Sequence, residues 1–92
     1  MNYTAADPII DQWSREHSIP WVREYQDEEV RSADVYMASG TYAQLWLEPQ
    51  VDVGVFAVCA WDRDSRRFRE VASTPDLHPA LNRALSAIRS WG

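Results

Sequence analysis

The sequence predicts an α+β fold: a single antiparallel β-sheet of four or five strands running as a meander, with an N-terminal and a C-terminal helix packed on one face. Three observations predict it. Apolar side chains recur at helical spacing near both ends of the chain, the residues between them alternate with a period of two, and polar turn sequences separate the alternating runs.

Asp7-Pro8 opens the first helix, with Asp7 placed to cap free amides and Pro8 at the first helical position. Ile9, Ile10, Trp13 and His17 follow on one face, with Asp11, Gln12, Arg15 and Glu16 on the wet face. Ser18-Ile19-Pro20 ends the helix, because a residue before proline avoids helical angles. From Trp21 the period becomes two: Trp21, Arg23 and Tyr25 alternate with Val22 and Glu24, and Gln26-Asp27-Glu28-Glu29 turns the chain. Residues 30–38 and 41–48 read as two further strands, joined into a hairpin by Ser39-Gly40. Pro49-Gln50 interrupts the run, residues 51–61 form the central strand, and Asp62-Arg63-Asp64-Ser65 makes a polar turn into residues 66–72. Asp76 is placed to cap the last helix, where Pro79 still lies in the first turn and its missing amide costs nothing. Leu77, Leu81, Leu85 and Ile88, flanked by Ala80, Ala84 and Ala87 and extended by Trp91, give that helix a continuous apolar stripe.

The central run VDVGVFAVCAW is apolar on both alternating faces. Val53, Val55, Ala57, Cys59 and Trp61 fall on one side and Phe56, Val58 and Ala60 on the other, so neither side is built for water. Two helices of about 10 Å diameter cover one face of a sheet about 19–24 Å wide. The second face lacks a cover from this chain, and that points to self-association or to a partner protein.

Composition narrows the function classes. Ninety-two residues fit one domain, residues 1–92, and a chain this short gains from burying surface against a second chain. Five Trp, four Tyr and two Phe within a 46% apolar composition argue against intrinsic disorder. A net charge of −5 repels nucleic acid and anionic membranes, so direct binding to either is not expected. All nine bases are arginine, so every cation can make forked bonds to carboxylates or stack on rings. The single Cys59 forbids an internal disulfide and reads as a small core residue, and no apolar run approaches a membrane span. A cytoplasmic protein is the expectation.

No motif identifies a reaction. His17, at the end of the first helix, reads as packing beside Trp13 or favouring the helix dipole, and His78 as a surface residue. Two histidines apart in sequence and one cysteine lack metal-ligand spacing, Asp62-x-Asp64 reads as turn chemistry, and three scattered glycines cannot form a phosphate loop. Gly54 reads as a bulge or a close backbone approach. No enzyme, no cofactor, no metal and no small-molecule substrate are expected.

The candidate protein-binding residues form three groups. Tyr42, Gln44, Trp46 and Glu48 share one face of the third strand, and Tyr36 joins them if it points the same way; aromatic rings mixed with polar groups suit an interface, although packing beneath the chain ends would also use them. Glu24, Asp27, Glu28 and Glu29 form an acidic pole that could occupy a basic groove, or simply solvate a turn. Arg66, Arg67 and Arg69 form the basic pole, for an acidic patch on a partner or to deter edge-to-edge pairing. The function expected first is a small, acidic, non-enzymatic module that inhibits or neutralises a protein or a nucleic-acid-processing complex. Bacterial immunity proteins and phage anti-CRISPR proteins share this profile of size, charge and aromatic content, an analogy carried by no motif. The alternative is an obligate homodimer, an assembly or chaperone subunit, packing through the same sheet face.

Overall fold

A computed structural model of the chain describes residues 3–92. Its elements run α1 (Asp7–His17), β1 (Val22–Tyr25), β2 (Glu28–Tyr36), β3 (Tyr42–Pro49), β4 (Val55–Trp61), β5 (Arg67–Ser73) and α2 (Leu77–Trp91), with a 3₁₀ turn at Thr74–Asp76 leading into α2. The five strands form one antiparallel sheet in the order β1-β2-β3-β4-β5, the predicted meander.

Residue parity sorts the sheet into two faces. Val35, Ala43, Leu45, Leu47, Phe56, Val58, Ala60 and Ala72 form one continuous core with Ile10 and Trp13 of α1 and Leu77, Ala80, Leu81, Ala84, Leu85 and Ile88 of α2. Both helices therefore lie on the same side. The Trp13 indole N–H donates to Asn82 Oδ1 at 3.0 Å, which satisfies its only polar atom and ties α1 to α2.

Three sequence expectations change in detail. The central strand starts at Val55, four residues later than the alternation implied. Val51 and Val53 stand fully exposed in the β3–β4 turn, where the Gln50 amide donates to Val55 O at 2.9 Å and the Val55 amide to Asp52 O at 3.2 Å. Gly54 lies in that turn at φ +79°, with its carbonyl accepting from both the amide and the hydroxyl of Thr74 at 2.8 Å. It is the close approach expected of it, but before the strand and not inside it. Secondly, Asp76 stands at the N-cap position of α2 but its carboxylate makes no capping bond, and Asp7 lies one position inside α1, where Ala6 is the N-cap. Asp7 instead takes a forked bond from Arg31 (Nε to Oδ1 2.7 Å, Nη2 to Oδ2 3.0 Å), a stronger offer than a free amide. Thirdly, the first turn is the two-residue pair Gln26-Asp27, both at positive φ, so Glu28 and Glu29 belong to β2.

Arg31 is the one buried charged side chain of β2, 5% exposed. Besides Asp7 it donates to Glu29 (2.9 Å) and to the carbonyls of Val30 (2.6 Å) and Arg23 (3.3 Å), and its guanidinium lies 4.7 Å from the centre of the Tyr3 ring. The start of α1 is thus pinned to the sheet by one buried cation. The hydrogen bond from Arg31 holds the Asp7 carboxyl below its ordinary range despite partial burial.

Candidate protein-binding face

The side chains that alternate with the core residues point to the opposite side, where no described residue outside the sheet covers them. Their cross-strand rows follow from the register. One row reads Asp34, Gln44, Trp61, Arg67, and the next reads Val22, Ser32, Trp46, Cys59, Arg69. On either side of these lie Tyr36 opposite Tyr42, and Glu48, Ala57 and Val71. The Tyr36 and Tyr42 rings stand 5.9 Å apart, and the Arg67 guanidinium lies 6.0 Å from the centre of the Trp61 ring. Exposure is large for such side chains: 74% for Tyr36, 50% for Val71, 43% for Tyr42 and 42% for Trp61.

Tyr36, Tyr42, Gln44, Trp46 and Glu48 therefore share one surface. Trp46 Nε1 donates to Glu48 Oε1 at 3.3 Å, which fixes the indole beside the carboxylate. The other two groups are divided. Of the acidic residues, Glu28 pairs with Tyr25 next to the turn, Asp27 sits at the hairpin tip, Glu24 stands opposite Glu29, and the Glu29 carboxylate turns to Arg31. Of the arginines, Arg67 and Arg69 lie on the open face, whereas Arg66 folds back onto Asp62 (Nε to Oδ2 2.6 Å). Burial alone would raise the Asp62 pKa, but bonds from the Arg66 amide and guanidinium and the Asp64 amide outweigh it and hold the carboxyl low. Asp62-x-Asp64 is a turn clamp, with Asp62 as its centre.

Three residues of the face escaped sequence reasoning: Val22, Trp61 and Val71. Val22 lies on the open side because it pairs with Ser32, and the bulge next to it sets two residues of β2, Val30 and Arg31, opposite the single Arg23 of β1. Trp61 and Val71 follow from register alone once β4 is paired with its neighbours. Two hollows interrupt the face. One, of about 580 Å³, opens where β2 and β3 diverge beyond the Ser32–Trp46 pair and has Tyr3 and Arg31 in its lining. The other, of about 350 Å³, is walled by Trp46, Trp61, Arg67 and Arg69 above the small Cys59. Burial, with the nearby Glu48 carboxylate adding to it, pushes the Cys59 thiol up to about 11, so it is a packing group and not a nucleophile at neutral pH.

The two histidines, 61 residues apart in sequence, are close in space. Asn82 Oδ1 lies 3.3 Å from His17 Nε2, Asn82 Nδ2 lies 3.4 Å from His78 Nδ1, and His78 Nε2 lies 2.6 Å from Glu16 Oε1. His17 also stacks on Trp13 with ring centres 4.6 Å apart, the packing role expected of it. The chain Glu16–His78–Asn82–His17 joins α1 to α2 and contains an acid and two bases but no nucleophile. It is a helix-to-helix fastening, and the bond from His78 holds the Glu16 carboxyl below its ordinary range.

No family model matches the chain, and no curated protein and no solved structure matches it. No helix among the described residues is long and apolar enough to cross a membrane.

Proposed function

We propose that this chain is a non-enzymatic protein-binding module of the cytoplasm, whose working surface is the open face of its sheet. It acts by occupying a surface on another polypeptide, in the manner of small proteins that inhibit or neutralise their targets. The observation that carries this reading is the exposure of Tyr36, Tyr42 and Trp61 on one face, with both helices packed on the other. Aromatic rings with polar tips and arginine are the residues that interfaces enrich, and contiguous exposed apolar surface marks interaction sites. Glu28 and Asp27 at one rim and Arg67 and Arg69 at the other supply charge of both signs to orient an encounter.

The test is site-specific photo-crosslinking in producing cells, with a benzophenone side chain at Tyr42 on the face or at Arg15 on the exposed side of α1. The reading expects polypeptide adducts from Tyr42 and none from Arg15. Adducts from neither position, or equal adducts from both, would overturn it.

A further inference from the structure

We infer that the occupant of the open face is a second copy of this chain, related to the first by a two-fold axis that runs parallel to the strands and passes between β3 and β4. This rests on the reading of the open face as the binding surface, and it specifies the partner.

The argument starts from charge. In the row Asp34–Gln44–Trp61–Arg67 the acid and the cation occupy opposite ends, three strand spacings or about 14 Å apart, too far to pair within one chain. Among the described residues neither has an ion-pair partner. The whole chain carries −5, yet the two central rows and the Glu48 row beside them hold Arg67 and Arg69 against Asp34 and Glu48 and are locally balanced. A partner with a basic groove would meet those two arginines directly. A second copy would not, provided the axis is the right one.

Two copies packed face to face can share an in-plane two-fold axis in two ways. With the axis across the strands, β2 faces β2 and β5 faces β5, and like charges stand together. With the axis along the strands, β2 faces β5 and β3 faces β4. Asp34 then lies over Arg67 of the second copy, and by symmetry Arg67 lies over Asp34 of the second copy. The same operation sets Trp46 on β3 over Cys59 of the facing β4, where a small side chain lies beneath the 350 Å³ hollow. A large side chain thus meets a depression on the same surface, which is the requirement of an isologous contact.

Size suits a weak, concentration-dependent dimer. The four facing strands β2–β5 span about 19 Å and the seven residues of β4 about 23 Å, so the flat footprint is about 440 Å² per copy and about 880 Å² in total, the range of a reversible association. The acidic β1–β2 hairpins lie at the rims of such a dimer and stay open to a further partner.

The experiment is molar mass by light scattering on size-exclusion fractions over a wide concentration range, for wild type, Asp34→Arg, Arg67→Asp and an equimolar mixture of the two variants. Both positions are exposed, and far-ultraviolet circular dichroism with urea midpoints confirms folding; Trp61→Glu serves if either variant fails to fold. The expected wild-type mass is twice 10.6 kDa. Each single variant places two like-charge pairs in the dimer and should raise the dissociation constant by about ten-fold or more. The mixture restores both pairs in a heterodimer and should return to the wild-type mass. A monomer at every concentration would overturn the inference while leaving the face reading to stand or fall on the Tyr42 crosslinks. A dimer insensitive to both charge reversals and to Trp61→Glu would place the contact elsewhere, and a mixture that stays monomeric would refute the strand-parallel axis.

Discussion

Replacing Arg31 by methionine isolates the contribution of one buried cation. The substitution keeps most of the aliphatic stem and removes the guanidinium, whose side chain is 6% exposed against 24% for its partner Asp7. Breaking a fully buried pair costs about 3–5 kcal/mol, because one charge is left without compensation. Asp7 can partly rehydrate, and Arg23 remains 3.8 Å away, so the expected loss is about 2–3 kcal/mol. For a chain of this length that lowers the melting temperature by about 10–20 °C. Removing both charges in Arg31→Met/Asp7→Leu should cost less than Arg31→Met alone, since no unpaired charge is buried. The Asp7 carboxyl has a lowered folded pKa, so its contribution is complete above its unfolded value and is lost as pH falls through the folded one. The acid limb of stability against pH below about pH 4 should therefore flatten in Arg31→Met. Urea denaturation at fixed protomer concentration, repeated across pH, measures all three quantities; the concentration is fixed because self-association would add to apparent stability. A variant within about 0.5 kcal/mol of wild type with an unchanged acid limb would refute the reasoning, as would a double variant whose cost equals the sum of the singles.

Gly54→Ala should destabilise by about 1–2 kcal/mol in urea melts, because φ is +79° and the new Cβ would stand 3.2 Å from Thr74 Oγ1. Cys59 should react with a thiol reagent far more slowly in the native protein at pH 8 than in denaturant, since its pKa is pushed up to about 11 and it is buried; equal rates would contradict the packing role. Val51→Ser with Val53→Ser should change stability by no more than about 0.5 kcal/mol, as both side chains are fully exposed in the β3–β4 turn.

The meander and its flanking helices were legible in the sequence because each level of pattern agreed with the next: helical spacing in α1 and α2, alternation in the strands, and Gly or Asp at the reversals. Legibility failed where a local pattern had two physical meanings. Val51 and Val53 continue the alternation of β4 and read as strand, yet the positive φ of Gly54 and its bonds to Thr74 require a turn there, and the valines are left in water. Asp7 has the composition of a helix cap, but a cap is a local bond and loses to a forked guanidinium that arrives from 24 residues away, whereas the Asp76 carboxylate accepts from the neighbouring Ser73 hydroxyl at 3.3 Å. No window around Asp7 contains Arg31. The histidines follow the same logic, since only the packing of α1 against α2 brings His17 and His78 to one asparagine.

The binding face shows how far parity alone carries an argument. Within β3 the alternation of Tyr42, Gln44, Trp46 and Glu48 with Ala43, Leu45 and Leu47 separates two surfaces with no structural input, because neither Pro nor Gly interrupts it. Parity cannot cross a strand boundary, however, and the bulge that sets Val30 and Arg31 of β2 opposite the single Arg23 of β1 breaks the count between those two strands. The decisive property of the face is also invisible to composition: Asp34 and Glu48 balance Arg67 and Arg69, while the chain as a whole is strongly acidic. Register turns that cancellation into a layout, with acid toward β2 and arginine on β5. A layout of this kind has a direction, and a surface whose two ends carry opposite charge is complementary to itself under one two-fold axis and repulsive under the other. The exchange of partners between Asp34→Arg and Arg67→Asp tests that direction, which a hydrophobic face without it would not possess.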